Sequence, residues 1–572
     1  MRYFGLCSDY DGTLAHDGGV SDSTIAALKR VKASGRKLIL ATGRELRDLL
    51  GVFPEAGLFD RIVAENGGLL YRPASQEEKV LAESPPVQFI EELKRRGVNP
   101  LSVGHCVVST WHPNEALVLD TIRTLGLGLQ VTFNKGAVMI LPAGVNKGTG
   151  MRAALEELSL SVHSVVGIGD AENDHAFLNL CECAVAVGNS LPALKDRVDF
   201  VTDNSHGAGV EELIAKLLSD DLKDIVPRLA RHSVLLGHTP EGNEFRFAPY
   251  GPIVLIAGPS GGGKSTTVSA IIERLTEMDY QVCVIDPEGD YDESDHFITL
   301  GGPRRIPEVS EIFEVLNTRN ASLSVNLLGV PLADRPMFFQ GLLSRLQELR
   351  SQTGRPHWIV VDEAHHLLPA DLDSVDITTP AELTSMALVT VHPDHISRTI
   401  LRSVTILLAI GSNPELVLKQ FNAGRGAEFQ SSHEAPTPSN PGEIIAWPVS
   451  ESGSPELVIV TPAKMELRRH RRKYATGQLG EDKSFYFRGP EGKLNLRAHN
   501  IETFTQLAEG VDVNTWTYHL QNADYSRWLR DSIKDDQVAN DVHGIEQTSE
   551  LAPEESRDRI IQLLRKRYTS AP

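Results

Sequence analysis

A chain of 572 residues with 41% hydrophobic content is too long for one ordinary core and too apolar to be disordered, so two to four domains are expected. Lys and Arg number 56 against 76 Asp and Glu, a formal net charge of −20, which disfavours nucleic acid as the main partner because phosphate backbones are bound by excess cations. The 5 cysteines, none spaced as CxxC, indicate neither a disulfide framework nor a zinc site. The opening MRYFGLCSDYDGT lacks the pattern of a signal peptide, and no apolar run is long enough to span a bilayer. A cytoplasmic protein with no membrane attachment is expected.

Over residues 1–215, the runs YFGLCSD, KLILATG, DRIVAEN, SVVGIGD and CAVAVGN read as buried strands alternating with amphipathic helical stretches. That alternation predicts a parallel α/β sheet. Residues 230–465 repeat the logic with PIVLIAG, QVCVIDP, WIVVDEA, ALVTVHP and VTILLAIG. Residues 431–443, SSHEAPTPSNPGE, are polar and Pro/Ser-rich and read as a loop. Residues 480–572 begin with FYFRGPEG and continue as helical text, predicting a small, mainly helical accessory domain. Its Trp516, His519, Tyr525 and Trp528 read as packing aromatics.

In an open parallel sheet, ligands bind beyond the carboxyl ends of the strands. Those ends carry Asp9-Tyr10-Asp11-Gly12-Thr13, then Thr42-Gly43-Arg44, then Glu65-Asn66-Gly67-Gly68, and later Gly169-Asp170-Ala171-Glu172-Asn173-Asp174; Lys147 precedes a helix. Carboxylates, a hydroxyl and a lysine on one edge suit phosphomonoester hydrolysis. Asp9 can be the carboxylate nucleophile and Asp11 the acid that protonates the leaving oxygen and then activates water. Thr42 and Lys147 can hold and neutralise the phosphoryl group. Asp170 and Asp174 offer hard oxygen ligands for Mg2+.

DYDGT, ATGR, Lys147 and GDAEND resemble the four motifs of the haloacid-dehalogenase superfamily, and NGG after the third strand looks like subclass IIB, the Cof-type and sugar-phosphatase branch. The segment FNKGAVMILPAGVNKGTGM is similar to what precedes the lysine in phosphoglycolate and sucrose-phosphate phosphatases. The resemblance implies a Rossmann-like domain with a small α/β cap at about 75–145 and an aspartyl-phosphate intermediate on Asp9. It also implies a metal held by Asp9, Asp11, Asp170 and Asp174, and a small phosphorylated metabolite, a sugar phosphate or a phosphoglycolate-like acid, as substrate.

In the second region, Gly258 to Thr266 fit GxxxxGK[ST] between the strand PIVLIA and the helix TTVSAIIERL, the context a P-loop needs. Gly258, Gly261 and Gly263 let backbone N–H groups wrap phosphates, Lys264 reaches the β and γ phosphates of ATP, and Ser265, next to Thr266, ligates magnesium. Asp362 ends a later strand and would hold that magnesium through water, with Glu363 polarising the attacking water. VIDPEGDY, DEAHH and VTVHPDHIS resemble HerA/FtsK-type ATPases, although His392 stands where that group often has Gln. The resemblance implies a homo-oligomer in which an arginine from the neighbouring copy completes the site; Arg402 and Arg425 are the candidates. The cluster Arg468, Arg469, His470, Arg471, Arg472 and Lys473 reads as a solvated helix face. The expected protein is a phosphatase fused to an ATPase that gates it. The alternatives are a translocase with an accessory phosphatase, and a kinase–phosphatase pair, the latter disfavoured by the lack of an Arg-rich lid.

Overall fold

A computed structural model describes the chain except residues 135, 224, 226–232, 292–296, 319–320, 371–382, 428–435, 450–452, 464–478, 480–483, 493, 534, 549–550 and 569–572. The basic cluster Arg468 to Lys473 and residues 431–435 of the polar loop lie outside the described residues. The described residues form two compact units. One comprises Met1–Val284, Val309–Ser322 and Pro331–Pro462; the other comprises Ile285–Glu308, Leu323–Val330 and Ala463–Pro572.

The first unit opens with β1 (Gly5–Asp9), β2 (Lys37–Ala41), β3 (Arg61–Ala64), β4 (Leu69–Arg72) and β5 (Glu77–Val80). A cap follows, with β6 (Ser102–Val103), β7 (Val108–Trp111), β8 (Leu129–Asn134) and β9 (Ala137–Pro142), before β10 (Val165–Gly169), β11 (Cys183–Ala186) and β12 (Phe200–Val201) return to the main sheet. That sheet runs β12-β11-β10-β1-β2-β3-β4-β5, parallel up to β3 and antiparallel beyond it. Its central strands are apolar on both faces because helices cover both. Leu6, Leu38, Leu40 and Ile62 pack on one side with Leu28, Val31, Leu213 and Leu217. Their sequence neighbours Cys7, Ile39 and Val63 pack on the other with Met151, Ala154 and Leu155. The period of two in a strand produces this division.

The cap sheet has the order β6-β7-β9-β8. Helices Val87–Arg95 and Glu115–Leu125 pack against it through Phe89, Leu93 and Val118, around Val108 and Ile140. The cap is fastened to the core by Glu65. Its buried carboxylate accepts N–H bonds from His105 (3.0 Å), Cys106 (2.7 Å) and Val107 (3.3 Å). The NGG turn beside it needs its glycines: at Gly67, with φ +107°, a Cβ would lie 2.0 Å from the Asn146 carbonyl oxygen, and at Gly68 one would lie 2.5 Å from Cys106 Cβ.

The chain continues through β13 (Val234–His238), β14 (Glu244–Phe247), β15 (Ile253–Ala257), β16 (Val282–Asp286), β17 (Phe297–Gly301), β18 (Ser322–Asn326), β19 (Trp358–Val361), β20 (Met386–Thr390), β21 (Ile406–Ile410), β22 (Glu443–Pro448) and β23 (Glu456–Val460). Within the first unit these give the order β14-β13-β23-β22-β21-β15-β20-β19. The stretch β21-β15-β20-β19 is parallel, and the strands on the β22 side are antiparallel. The two α/β regions of this unit touch. His163 stacks on Tyr280 at 3.6 Å between ring centroids, Glu182 accepts hydrogen bonds from Arg2 and Tyr280 (both 2.9 Å), and His357 Nε2 meets Ser161 Oγ at 2.9 Å.

The second unit contains β17, a hairpin of β24 (Phe485–Phe487) and β25 (Leu496–Ala498), and helices including Ile501–Gly510, Val513–Gln521, Asp536–Glu546 and Pro553–Tyr568. Phe485, Phe487, Phe504, Trp516, Tyr525 and Trp528 form its core, with Trp516 and Tyr525 stacked at 4.3 Å. The α/β class and the mainly helical C-terminal part agree with expectation. Among the described residues no helix is long and apolar enough to cross a membrane.

Candidate active site

Asp9 ends β1, Thr42 follows β2, Asp170 follows β10, and all three are buried. Lys147 opens the helix Lys147–Glu157, capped by Asn146, whose side chain accepts from Gly148 N and Thr149 N. The order β10-β1-β2 therefore brings residues distant in sequence to one strand-end edge. One oxygen from each of Asp9, Asp170 and Asp174 lies within 4.8 Å of the others. The Lys147 ammonium donates to Asp9 Oδ1 (2.5 Å) and Asp174 Oδ1 (2.7 Å). Asp174 is held in turn by the N–H groups of Asp170 (2.8 Å) and Ala171 (2.9 Å), and Gly169 leaves the room: a Cβ there would meet Asp174 Oδ2 at 2.7 Å.

Burial, then Asp174 and Asp170, push the Asp9 carboxyl well above its usual range, and Lys147 only partly offsets them. Burial alone would lower Lys147, but Asp174 and Asp9 hold its ammonium above its ordinary value. With all three buried acids ionised, and Lys147 bonded to two of them, the formal charge is −3 + 1 = −2. One divalent cation with a preference for oxygen ligands matches that charge and that donor set, so the residues fit Mg2+.

Asp11 lies outside this group. The Arg44 guanidinium grips its carboxylate with both arms, at 2.8 and 2.7 Å, and a further bond at 2.6 Å ties Arg44 to Asp48. A planar fork matches a carboxylate in this way, which is why the side chain sits at the mouth with Arg44 rather than among the acids that could hold metal. The hydrogen bonds that Arg44 donates to Asp11 hold its guanidinium above its ordinary pKa. Thr42 Oγ1 accepts the Arg44 N–H at 3.1 Å, and Thr13 Oγ1 reaches Asp170 Oδ1 at 3.4 Å. The cap reaches the site through Met139 of β9: a Cβ on Gly43 would lie 3.1 Å from its Cε.

The P-loop lies between β15 and the helix Lys264–Glu277. Gly261 (φ +73°) and Gly263 (φ +106°) adopt left-handed backbone, and at Gly258 a Cβ would lie 2.2 Å from the Ile410 carbonyl oxygen. These are the positions at which a phosphate cradle needs glycine, so the loop fits a nucleotide's phosphates. Lys264 Nζ bonds the loop's own carbonyls at Gly258 (2.9 Å) and Pro259 (3.0 Å). Ser265 and Thr266 occupy the first turn of the helix. Asp362 is buried just past β19 and accepts the Glu363 N–H at 3.0 Å, with Glu363 in left-handed backbone at φ +42°.

Sequence reasoning isolated His392 but missed that it belongs to a quartet. The His365 ring lies tilted against His366 (4.1 Å) and faces His392 edge-on (5.6 Å), and His392 stacks on His395 (4.8 Å). His365 Nδ1 meets Thr390 Oγ1 at 3.1 Å, and that oxygen accepts the His392 N–H at 3.0 Å. Burial, helped by His366, His392, His395 and Lys264, pushes His365 down to about 4. Arg402 is exposed, with Nε 3.3 Å from the Arg425 carbonyl; Arg398, overlooked in the sequence, bonds the same carbonyl at 3.3 Å. Arg425 instead covers Phe421 (5.0 Å) and Trp447 (5.4 Å) of its own fold.

Residues 6–101 and 125–214 match the family of haloacid dehalogenase-like hydrolases, and residues 254–372 match the helicase HerA central domain. A phosphoglycolate phosphatase 2 of Saccharolobus solfataricus is 31% identical over 229 residues, covering 37% of this chain and 92% of that protein. A phosphoglycolate phosphatase of Methanothermobacter thermautotrophicus is 28% identical over 219 residues, covering 37% and 98%. A haloacid dehalogenase-like hydrolase structure from Bacteroides thetaiotaomicron covers 38% of this chain and all of its own (100%), with a TM-score of 0.34 and 21% identity. The chain belongs to the haloacid dehalogenase-like hydrolases and is a phosphoric monoester hydrolase of that family, with a HerA-type P-loop ATPase domain in the same polypeptide.

Proposed function

We propose that the first site hydrolyses a small phosphorylated metabolite through an aspartyl-phosphate on Asp9, within a phosphatase domain at 1–215 whose cap lies at about 75–145. The observation that carries this reading is the buried group of three acids around Lys147. Asp9 Oδ attacks phosphorus, and the leaving alkoxide takes a proton from Asp11. Asp11 then removes a proton from water, which attacks the acyl phosphate and frees Asp9 and orthophosphate. Thr42 and Lys147 hold the phosphoryl oxygens. Asp9, Asp170 and Asp174 would hold Mg2+, which when bound supplies positive charge against those oxygens. The names of the relatives make 2-phosphoglycolate the first substrate to test. Release of orthophosphate from a panel of sugar phosphates and 2-phosphoglycolate, with Mg2+ and after chelation, tests the reading; turnover that survives complete chelation overturns it. Binding has its own readout: Mg2+ should raise Tm in the wild type and raise it less in Asp174→Asn.

We propose further that residues 230–465 form an ATPase domain that regulates the phosphatase, with 480–572 as an accessory domain. Lys264 would bind the β and γ phosphates, Ser265 and Asp362 would hold magnesium directly and through water, and Glu363 would orient the attacking water. The contacts of His163, Glu182 and Ser161 with Tyr280 and His357 support communication between the two α/β regions. Phosphatase rates with ATP, with a non-hydrolysable analogue and with neither test it; identical rates in all three reject regulation.

A further inference from the structure

The loop that follows Asp9 is tied down at a point that none of the motifs marks. The Gly12 carbonyl faces two side chains, Asn189 Nδ2 donating at 2.8 Å and His206 Nδ1 standing at 3.0 Å. Asn189 Oδ1 also accepts the His206 N–H at 2.8 Å, so the three residues form one clamp. On the far side of the same loop, the His206 ring stacks on His16 with centroids 4.4 Å apart. His206 holds this position in left-handed backbone, φ +53°, a conformation uncommon for a residue with a side chain, and such outliers gather where structure serves function. The chain cannot slide away, because a Cβ on the next residue, Gly207, would already lie 2.4 Å from Thr24 Oγ1.

Gly12 matters because it follows Asp11. With φ +84° and no side chain, it is a free joint directly after Asp11, and fixing its carbonyl removes that freedom. In this structure Asp11 is also gripped by Arg44, but its carboxylate must leave that fork to serve a substrate oxygen. From then on the backbone clamp is what keeps it in line. We propose that His206 is a positioning residue for Asp11, acting through the Gly12 carbonyl. This rests on the acid–base role given to Asp11 above.

Three substitutions separate the hydrogen bond from the backbone strain. His206→Gly accepts the left-handed conformation and deletes the donor. His206→Asn also tolerates that conformation, and its Nδ2 stands close to where the imidazole Nδ1 was. His206→Ala deletes the donor and keeps the strain. Protonation by Asp11 is needed for an alkoxide leaving group and hardly at all for p-nitrophenolate. In His206→Gly, kcat/KM for 2-phosphoglycolate should therefore fall roughly 100-fold, as expected for a misplaced catalytic group. For p-nitrophenyl phosphate it should stay within about threefold of wild type, and Asn should recover most of the loss on 2-phosphoglycolate. Ala should lose at least as much as Gly. An equal fall on both substrates, no fall on 2-phosphoglycolate, or a failure of Asn to recover activity overturns the proposal. Asp9→Asn run alongside keeps the readings apart. If it retains turnover, the aspartyl-phosphate mechanism is wrong; if it is inactive while His206→Gly behaves as wild type, only the role of His206 is lost.

Discussion

The two candidate pockets lie at the carboxyl ends of parallel strands in the same unit, yet they are built from opposite materials. The phosphatase pocket is an assembly of buried side-chain charges, three acids around Lys147, fixed before any ligand arrives. The P-loop pocket is mainly backbone, with Lys264 turned onto the loop's own carbonyls and neutral-leaning His365 close by. The first arrangement is preorganised and holds excess negative charge; the second is a polar mould that a polyphosphate completes. Substitutions should therefore have sharp, chemistry-specific effects in the first pocket and ligand-dependent effects in the second.

The strongest way to break this contrast is Asp9→Asn. It should lower phosphatase turnover roughly 10⁴-fold or more, because an amide cannot act as the nucleophile, while ATP hydrolysis persists. Parallel orthophosphate assays on 2-phosphoglycolate and on ATP decide it, and residual phosphatase activity near the wild-type level would falsify the nucleophile assignment. Next in size is the arginine that would complete the ATP site from a neighbouring copy. Arg402→Ala should cut ATP turnover roughly 10³-fold with ATP affinity nearly unchanged, as for other arginines supplied in trans. Arg425→Ala should instead cost about 1 kcal/mol of stability through lost contact with Phe421 and Trp447. Turnover, nucleotide titration and thermal unfolding of both variants separate the two; full turnover by a monomeric protein with ATP bound would exclude a shared site.

A smaller effect should appear on acidification. His365 titrates at about 4 in the folded chain and at about 6.5 when unfolded, so between these values the unfolded state binds more protons. The stability due to a neutral His365 is complete above about pH 6.5 and is lost as pH falls toward 4. Tm measured across this window should drop less in His365→Asn than in the wild type; parallel curves would remove His365 as the cause. A further effect concerns the cap. Glu65→Gln leaves one acceptor where two carboxylate oxygens served three N–H groups, and should cost about 2 kcal/mol by urea unfolding. An unchanged midpoint would mean that the tether adds nothing to stability.

Much of the phosphatase edge could be read from the sequence. The strands carrying Asp9, Thr42 and Asp170 are continuous apolar runs that end abruptly at polar residues, a local pattern that needs no tertiary knowledge. The strands β13, β14, β22 and β23 were not foreseen. They lie on the antiparallel side of the sheet that holds β15, and EFRF alternates charge with its apolar positions. β5, EEKV, is exposed throughout and gives no hydrophobic signal. The division between Asp11 and the other acids was also invisible, because it depends on Arg44 reaching across from the turn after β2. Likewise, His365 and His392 are 27 positions apart, and only the adjacency of β19 and β20 makes them neighbours.

The bond pattern at Glu65 bears on how a substrate gets in. Lifting the cap edge there would strip three N–H groups from a buried carboxylate, and each partner would need water to replace what it lost. Such a lid is anchored at that edge, and a second bond from Ser102 to Glu45 ties it beside Arg44. Away from that edge, Arg44 is only part-buried and already holds Asp11, so an anion that reaches it meets a guanidinium with a partner. An incoming carboxylate could take over that guanidinium and release Asp11 for work. For a substrate that carries such a second anion, admission and activation would then be one event.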